Sequence, residues 1–187
     1  MDSSDKEKIL LILDLDETLI HATKTELETS PDFQVFGYNI YLRPFLLEFL
    51  NQVQKDFHLA IWSSATDTYV QEVVKRIIPS EISVAFVWGR SRCTPRRVFE
   101  GDELLDHYHY IKPLKKVKKK GYKLGRILII DDSPHKSEEN YGNAIYPKAF
   151  FGDRKDNELR LLAKYLDTLK SVGNVREIEK RGWRNMI

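Results

Sequence analysis

The chain of 187 residues has one cysteine, Cys93, and no long apolar run. A single cysteine excludes an intrachain disulfide bond and favours a reducing compartment. No apolar run approaches the roughly 20 residues that a membrane-spanning helix needs. The first residues are polar and lack the charged and then apolar order of a secretory leader. We therefore expect a cytoplasmic protein, or a nuclear one if the source is eukaryotic, with no membrane partner.

Charge of one sign is not in excess either. Lys and Arg number 30 against 28 for Asp and Glu, which gives a formal net charge of +2. This balance does not favour a nucleic-acid partner. We interpret the lysines between Lys115 and Lys123 as a solvated face rather than a nucleic-acid patch. The hydrophobic share of 42% is ordinary for a globular protein, so residues 1–187 are expected to form one domain, with a monomer as the default.

Two phosphate-handling motifs are also missing. The Cys-x5-Arg loop of cysteine-dependent phosphatases would need arginine at position 99, where the chain has Phe99. The glycine-containing segment from Gly121 to Arg126 lacks the Lys-Ser/Thr pair of a nucleotide-binding P-loop. The sequence therefore excludes a cysteine nucleophile and gives no P-loop.

An apolar run from Ile9 to Leu13 predicts a strand that is buried on both faces of a parallel sheet. It ends in Asp14-Leu15-Asp16-Glu17-Thr18. Strand side chains alternate, so Asp14 and Asp16 should leave the strand tip on the same side. Such crowding is costly unless a cation lies between the carboxylates. The alternative is an acidic turn whose Asp and Thr side chains only cap the backbone.

A second strand end repeats this design and favours a functional site over simple capping. Arg126 is followed by the apolar residues 127–130 and then by Asp131-Asp132-Ser133-Pro134. Open α/β sheets bind ligands at the carboxyl ends of their strands. We therefore expect both acidic strand ends to lie together at one ligand-binding edge.

Short apolar runs alternate with helical stripes along the rest of the chain, which predicts a doubly wound, Rossmann-like α/β fold with a central parallel sheet flanked by helices. A segment without sustained periodicity, residues 20–37, is predicted to be a flap or loop. An irregular, arginine-rich insertion near the active site is predicted for residues 89–110. The further predicted strands are Tyr38–Leu42, Phe57–Trp62, Ala85–Trp88 and Asn143–Tyr146, and the predicted helices follow Arg43-Pro44, carry Tyr69–Ile78 and span Asp156–Leu169.

Several motifs in this order resemble the FCP/SCP-type phosphatases, the aspartate-based group of the haloacid dehalogenase superfamily related to NLI-interacting factors. The resemblance implies a magnesium-dependent phosphatase that forms an aspartyl-phosphate intermediate. Phosphoserine or phosphothreonine in a protein or peptide is the implied substrate. The segments that carry it are Asp14-Leu15-Asp16-Glu17-Thr18-Leu19, Arg43-Pro44, Trp62-Ser63-Ser64-Ala65, Tyr110-Ile111-Lys112 and Ile130-Asp131-Asp132-Ser133-Pro134.

By this resemblance Asp14 is the nucleophile, and Asp16 is the general acid and then the general base. Lys112 supplies positive charge to the transferring phosphoryl group, and Ser63 donates a hydrogen bond to it. Thr18 completes the catalytic set by tying the acidic turn to its own backbone. Two alternatives stay open, because Ser63 could only cap the next helix and Lys112 could be a surface lysine.

The same resemblance implies a Mg²⁺ site. Its ligands are the Asp14 side chain, the Asp16 backbone carbonyl and Asp132. Asp131 is not a ligand itself but supports Lys112 or the metal by contact with them. The chain departs from the family pattern in having Ser63 where relatives often have Thr, and Asp132 where many have Asn. Both replacements keep the needed oxygen.

Three other functions remain open at this stage. Some relatives use this fold as a non-enzymatic protein-binding module. Phosphatases with similar chemistry act on nucleic-acid ends, and a short domain of this kind could also act on small phosphate esters. The four retained residues Asp14, Asp16, Lys112 and Asp132 favour an enzyme over a binding module.

Overall fold

A computed structural model of the chain describes residues 8–100 and 103–187, with side-chain positions for residues 8–97 and 108–187. Its centre is a sheet of five parallel strands. From one edge to the other these are β10 (Ala144–Ile145), β9 (Ile127–Ile130), β1 (Ile9–Leu13), β5 (Phe57–Trp62) and β6 (Val84–Trp88). The polar residues 1–7, on which the argument about a leader depends, lie outside the described part.

Helices flank this sheet, which confirms the predicted α/β class. They are α1 (Leu46–Val53), α2 (Asp67–Ile77), the single turn α3 (Lys115–Lys118) and α4 (Glu158–Leu169). The side chains of Leu11 and Leu13 pack in one core with α1, α2 and α4, whereas Leu10 and Ile12 face a second core that includes Val117 of α3. Among the described residues, none of the helices is both long and apolar enough to cross a membrane.

A small antiparallel sheet lies beside the first acidic strand end. It consists of β2 (Ile20–Thr23), β4 (Tyr38–Leu42) and β3 (Phe33–Val35), in that order. The prediction of a loop over residues 20–37 is wrong here, since the segment contains two strands. Strands of 4 and 3 residues are too short to show a period-two pattern. That the segment acts as a flap stays a prediction.

The predicted irregular insertion contains a β-hairpin of β7 (Thr94–Glu100) and β8 (Glu103–Ile111). The prediction of irregular structure is therefore wrong for residues 94–100 and 103–110. Residues 89–93 are not part of the hairpin, and residues 101 and 102 lie outside the described part. The sequence hid β7 because Pro95, Arg96 and Arg97 are all exposed, so no apolar alternation marks the strand.

The register of the central sheet brings the two acidic strand ends level. Leu13 at the end of β1 pairs with Ile130 at the end of β9, and the Asp14 backbone N–H donates to the Ile130 carbonyl at 2.9 Å. On the other side Leu13 pairs with Ile61, so β5 ends close by at Trp62 and is followed by Ser63. The carboxyl edge of the sheet therefore collects side chains from three adjacent strands.

Candidate active site

Asp14 is the buried centre of the site, with 1% of its surface exposed. Its Oδ1 atom lies 2.8 Å from Nζ of Lys112 and accepts the Leu15 backbone N–H at 2.9 Å, while Oδ2 lies 3.0 Å from Nζ of Lys136. Burial alone would raise the pKa of Asp14, but the charges and hydrogen bonds of the two lysines outweigh it and lower the pKa to about 2. Asp14 is therefore an anion at neutral pH.

Asp131 and Asp132 complete an acidic group around Asp14. One carboxylate oxygen from each of the three residues lies within 4.8 Å of the others. Lys112 also contacts Asp131, with Nζ 2.6 Å from Oδ2. Burial and the Asp14 charge raise the pKa of Asp131 to about 6, against the charges of the lysines. Three carboxylates this close form an oxygen donor set that fits a hard divalent cation such as Mg²⁺.

Thr18 links the two acidic strand ends. Its Oγ1 atom accepts the Asp132 backbone N–H at 3.2 Å and lies 3.5 Å from Asp132 Oδ1. The sequence predicted that Thr18 would instead tie the acidic turn to its own backbone. That prediction is wrong about the partner, because the partner residue is 114 positions away in the chain.

The buried side chain of Arg43 contacts the backbone of the acidic turn. Its guanidinium donates to the Thr18 carbonyl at 2.9 Å and to both carboxylate oxygens of Asp156 at 2.9 and 2.8 Å. The adjacent residue Glu17 has a φ of 59°, in the left-handed region that non-glycine residues rarely adopt. A planar guanidinium with several fixed donors suits this role better than a lysine would.

Asp16 lies in a different environment from Asp14. The Tyr69 hydroxyl donates to Asp16 Oδ1 at 2.8 Å, and the Ser63 hydroxyl donates to Oδ2 at 3.3 Å. Burial and the negative charge of Asp14 raise the pKa of Asp16, although the two hydroxyl hydrogen bonds oppose the shift. Asp16 therefore keeps its proton to a higher pH than an ordinary aspartic acid.

Two alternatives from the sequence do not fit the geometry. Helix α2 begins after Thr66 with no side-chain cap, and the Ser63 hydroxyl accepts the Ala65 N–H at 3.0 Å while donating to Asp16. Ser63 is therefore part of the site and not a helix cap. Lys112 is not a surface lysine, since only 1% of it is exposed.

Sequence reasoning missed two residues of the site. The sequence predicts Tyr69 only as part of the helix Tyr69–Ile78, and the structure shows that it is buried there with its hydroxyl donating to Asp16. Lys136 lies in the polar 3₁₀-helical segment Pro134–Asn143 and belongs to none of the motifs found in the sequence. The one available signal was its position four residues after Asp132, which allows contact across a turn that begins at Pro134.

An open cavity of about 480 Å³ lies next to Asp16. Aromatic, hydroxyl and charged side chains line it, including Tyr38, Tyr69 and Arg90. Glu17 is also in its wall, where burial and the charges of Asp16 and Asp132 raise the pKa of Glu17 to about 7. The cavity offers room for a substrate group beside the candidate acid.

The family described as NLI interacting factor-like phosphatase matches residues 9–176. The chain belongs to this family. The matched range includes both acidic strand ends as well as Ser63 and Lys112. The resemblance drawn from the sequence motifs is thereby confirmed.

Curated relatives of this family span nearly the whole chain. CTD small phosphatase-like protein 2 of Dictyostelium discoideum is 30% identical over 90% of this chain and 29% of its own length. The human carboxy-terminal domain RNA polymerase II polypeptide A small phosphatase 1 is 26% identical over 94% of this chain and 65% of its own. Nuclear envelope morphology protein 1 of Saccharomyces cerevisiae is 31% identical over 92% of this chain and 42% of its own. The chain thus spans less than two thirds of these relatives.

Solved structures support the fold. The structure of Fcp1, described as an essential RNA polymerase II CTD phosphatase, matches 90% of this chain and 63% of its own with a TM-score of 0.65. The sequence identity is 19%, so this match concerns the fold alone. It agrees with the central parallel sheet and its flanking helices.

Proposed function

We propose that the protein is a magnesium-dependent phosphatase that hydrolyses phosphate monoesters, with phosphoserine or phosphothreonine in a protein or peptide as substrate. One observation carries the proposal. Asp14 and Asp16 follow the same strand, yet Asp14 contacts two ammonium groups that lower its pKa to about 2. Asp16 instead accepts hydrogen bonds from two hydroxyl groups, and burial raises its pKa. Opposite shifts in a neighbouring pair are what a nucleophile and a general acid require.

In the first step Asp14 attacks the phosphorus atom of the substrate. A bond forms between an Asp14 carboxylate oxygen and phosphorus while the bond from phosphorus to the serine or threonine oxygen breaks. Asp16 gives its proton to that leaving oxygen, which departs as an alcohol. The raised pKa of Asp16 supports this role, since the carboxylic acid must be present at working pH.

In the second step Asp16, now a carboxylate, takes a proton from a water molecule. The water oxygen attacks phosphorus, the bond from phosphorus to Asp14 breaks, and inorganic phosphate leaves. Asp16 is then protonated and Asp14 is again a carboxylate. Because each group ends the cycle as it began, the enzyme needs no further proton donor.

Three polar residues would assist the transfer. Lys112 contacts Asp14 at 2.8 Å, so its ammonium group is close enough to neutralise charge on an attached phosphoryl group. The Ser63 hydroxyl, 3.3 Å from Asp16, can turn to donate to a phosphoryl oxygen. Thr18 would act by positioning, since it holds Asp132 beside the acidic turn.

Magnesium would be held by Asp14 and Asp132, with the backbone carbonyl of Asp16 as a further ligand and Asp131 beside them. The oxygen donors of the three aspartates support this assignment, since Mg²⁺ prefers carboxylate ligands. When bound, the ion would neutralise charge on the substrate phosphate and on Asp14, and so allow two anions to meet.

Two observations support a phosphoprotein substrate. The human relative is named a small phosphatase of the carboxy-terminal domain of an RNA polymerase II polypeptide. The cavity beside Asp16 is lined both by the predicted flap, with Phe36, and by the predicted insertion, with Arg90. We propose that these two segments of one domain control substrate access.

The location and assembly of the protein also stay proposals. We propose that the protein is a cytoplasmic monomer. A zebrafish relative is named a nuclear envelope phosphatase, so location at that membrane is the alternative. Imaging of the tagged protein in its source cell separates the two.

A substrate panel tests the function. Phosphopeptides, nucleotides, sugar phosphates and 3′-phosphorylated DNA are each assayed with Mg²⁺ and with chelator. We expect phosphate to be released from the phosphopeptides when Mg²⁺ is present and not when the chelator is present. Equal or faster release from DNA or sugar phosphates contradicts the substrate class, activity that survives chelator contradicts the metal, and no turnover on any compound favours a binding module.

A further inference from the structure

Lys136 extends into the acidic group that could hold a metal ion. Its Nζ atom lies 3.0 Å from Asp14 Oδ2, 3.6 Å from Asp131 Oδ1 and 3.9 Å from Asp132 Oδ1. These three residues are the same ones whose oxygens approach within 4.8 Å of each other. The Lys136 ammonium group therefore places one positive charge beside the three carboxylates that would bind a divalent cation.

The second lysine of the site, Lys112, differs in both position and freedom. Lys112 contacts the opposite oxygens, Asp14 Oδ1 and Asp131 Oδ2, and its side chain is fully buried. Lys136 has 14% of its side chain exposed. A cation at Asp14 Oδ2 would therefore meet Lys136 and not Lys112.

The backbone of Lys136 is held independently of its ammonium group. Its backbone is fixed, because its carbonyl accepts the Lys112 N–H at 2.7 Å and its own N–H donates to the Ser133 carbonyl at 3.1 Å. The ammonium group itself is on a flexible stem of four carbons. Rotation about these bonds moves the charge towards solvent while the backbone contacts remain.

We propose that Lys136 competes with Mg²⁺ for the three carboxylates of Asp14, Asp131 and Asp132. The Lys136 ammonium group contacts them when the metal is absent and moves away when the metal binds. Two cations cannot share Asp14 Oδ2 without strong repulsion at this distance. Metal binding must then include the free energy of breaking the Lys136 contacts, which weakens the apparent affinity. The same contacts stabilise the metal-free enzyme, since they offset repulsion among three carboxylates.

The inference rests on the metal site of the proposed function, so its test measures metal binding without substrate. Calorimetric titration with Mg²⁺ compares the wild type with Lys136→Met, which keeps the length of the side chain and removes its charge. We expect Lys136→Met to bind Mg²⁺ at least about tenfold more tightly. It should also have a lower melting temperature in chelator. Lys119→Met, at an exposed position, is the matched control and should match the wild type in both measurements.

Lys136→Arg sharpens the comparison, because it restores the positive charge and should return the Mg²⁺ affinity towards that of the wild type. Equal or weaker Mg²⁺ binding by Lys136→Met overturns the inference and leaves the phosphatase proposal intact. If neither the wild type nor Lys136→Met binds Mg²⁺, the result contradicts both the metal site and the inference. Binding by Lys136→Met alone supports the inference in its strongest form.

A second measurement needs no variant at the site and covers the case in which Lys136→Met does not fold. The side-chain resonance of Lys136 is followed by NMR in the wild-type protein during Mg²⁺ titration, with Lys119 as the internal reference. Withdrawal predicts a large shift for Lys136 at the metal concentration that saturates the site. An unchanged Lys136 resonance at saturation overturns the inference.

Discussion

The two carboxylates that follow β1 are two residues apart, and their surroundings give them opposite proton affinities. Asp14 contacts the ammonium groups of Lys112 and Lys136, which lower its pKa to about 2 in spite of burial. Asp16 accepts hydrogen bonds from hydroxyl groups, and burial together with the Asp14 charge raises its pKa. The kind of neighbour, ammonium or hydroxyl, therefore decides which acid stays ionised.

The largest effect is expected from removing the ionised member of the pair. Asp14→Asn should lower the turnover rate by at least about 10⁴-fold, because an amide cannot attack phosphorus. Turnover of a phosphopeptide with Mg²⁺ is the measurement, with circular dichroism to show that the variant folds. Asp167→Asn, an exposed aspartate on α4, is the matched control and should keep full activity. Activity of Asp14→Asn near that of the control would exclude Asp14 as the nucleophile.

Asp16→Asn tests the protonated member. It should lower kcat/KM for a phosphoserine peptide by about 10²–10⁴-fold, because the leaving alkoxide needs a proton. The loss should be much smaller for p-nitrophenyl phosphate, whose leaving group needs little assistance. Asp14→Asn should lose both activities. Equal losses on the two substrates for Asp16→Asn would reject the acid role.

Tyr69→Phe sharpens the contrast without removing either acid. The Tyr69 hydrogen bond favours the charged form of Asp16, so its loss should raise the pKa of Asp16 further. The alkaline limb of the kcat/KM profile, where the acid loses its proton, should move to higher pH. Tyr38→Phe in the same cavity is the control and should leave the limb in place. A shift to lower pH for Tyr69→Phe contradicts this account of Asp16.

The smallest effect concerns Glu17 and stability. Its pKa is about 7 in the folded protein against 4.5 ordinarily, so between these values the native state binds a proton that the unfolded chain lacks. The free energy of unfolding of the metal-free protein should therefore fall as pH rises from 4.5 to about 7, with Glu17 adding at most about 1.4 kcal/mol per pH unit. Glu17→Gln should reduce this slope in denaturant titrations from pH 5 to 8. A slope equal to that of the wild type would contradict the shift.

Part of this site could be predicted from the sequence because strand ends are marked by composition. The buried runs before Asp14 and Asp131 identify parallel strands, and parallel strands bring their carboxyl ends to one edge. The sequence also indicated a cation between Asp14 and Asp16, whereas the carboxylates that come together are those of Asp14, Asp131 and Asp132. The family resemblance pointed to Lys112, but nothing indicated Lys136, since a lysine among charged residues shows no sign of burial.

The rest depended on information that periodicity does not hold. The spacing of Tyr69 correctly placed it on the buried face of α2, but the direction of its hydroxyl is set by the packing around Asp16. The hairpin of β7 and β8 has exposed charged residues in its first strand, so its pairing left no hydrophobic pattern. Thr18 bonds across the sheet to Asp132, a contact that only the register of β1 and β9 creates.

The central claim is that the phosphoryl group is transferred to Asp14, and chemical trapping tests it most directly. The wild-type protein is quenched in acid during turnover of a phosphopeptide with Mg²⁺, treated with borohydride and mapped by mass spectrometry. Borohydride reduces an acyl phosphate to the alcohol, so the account predicts homoserine at position 14 and unchanged aspartate at position 16. Homoserine at another acidic residue, or none while turnover proceeds, would contradict the account.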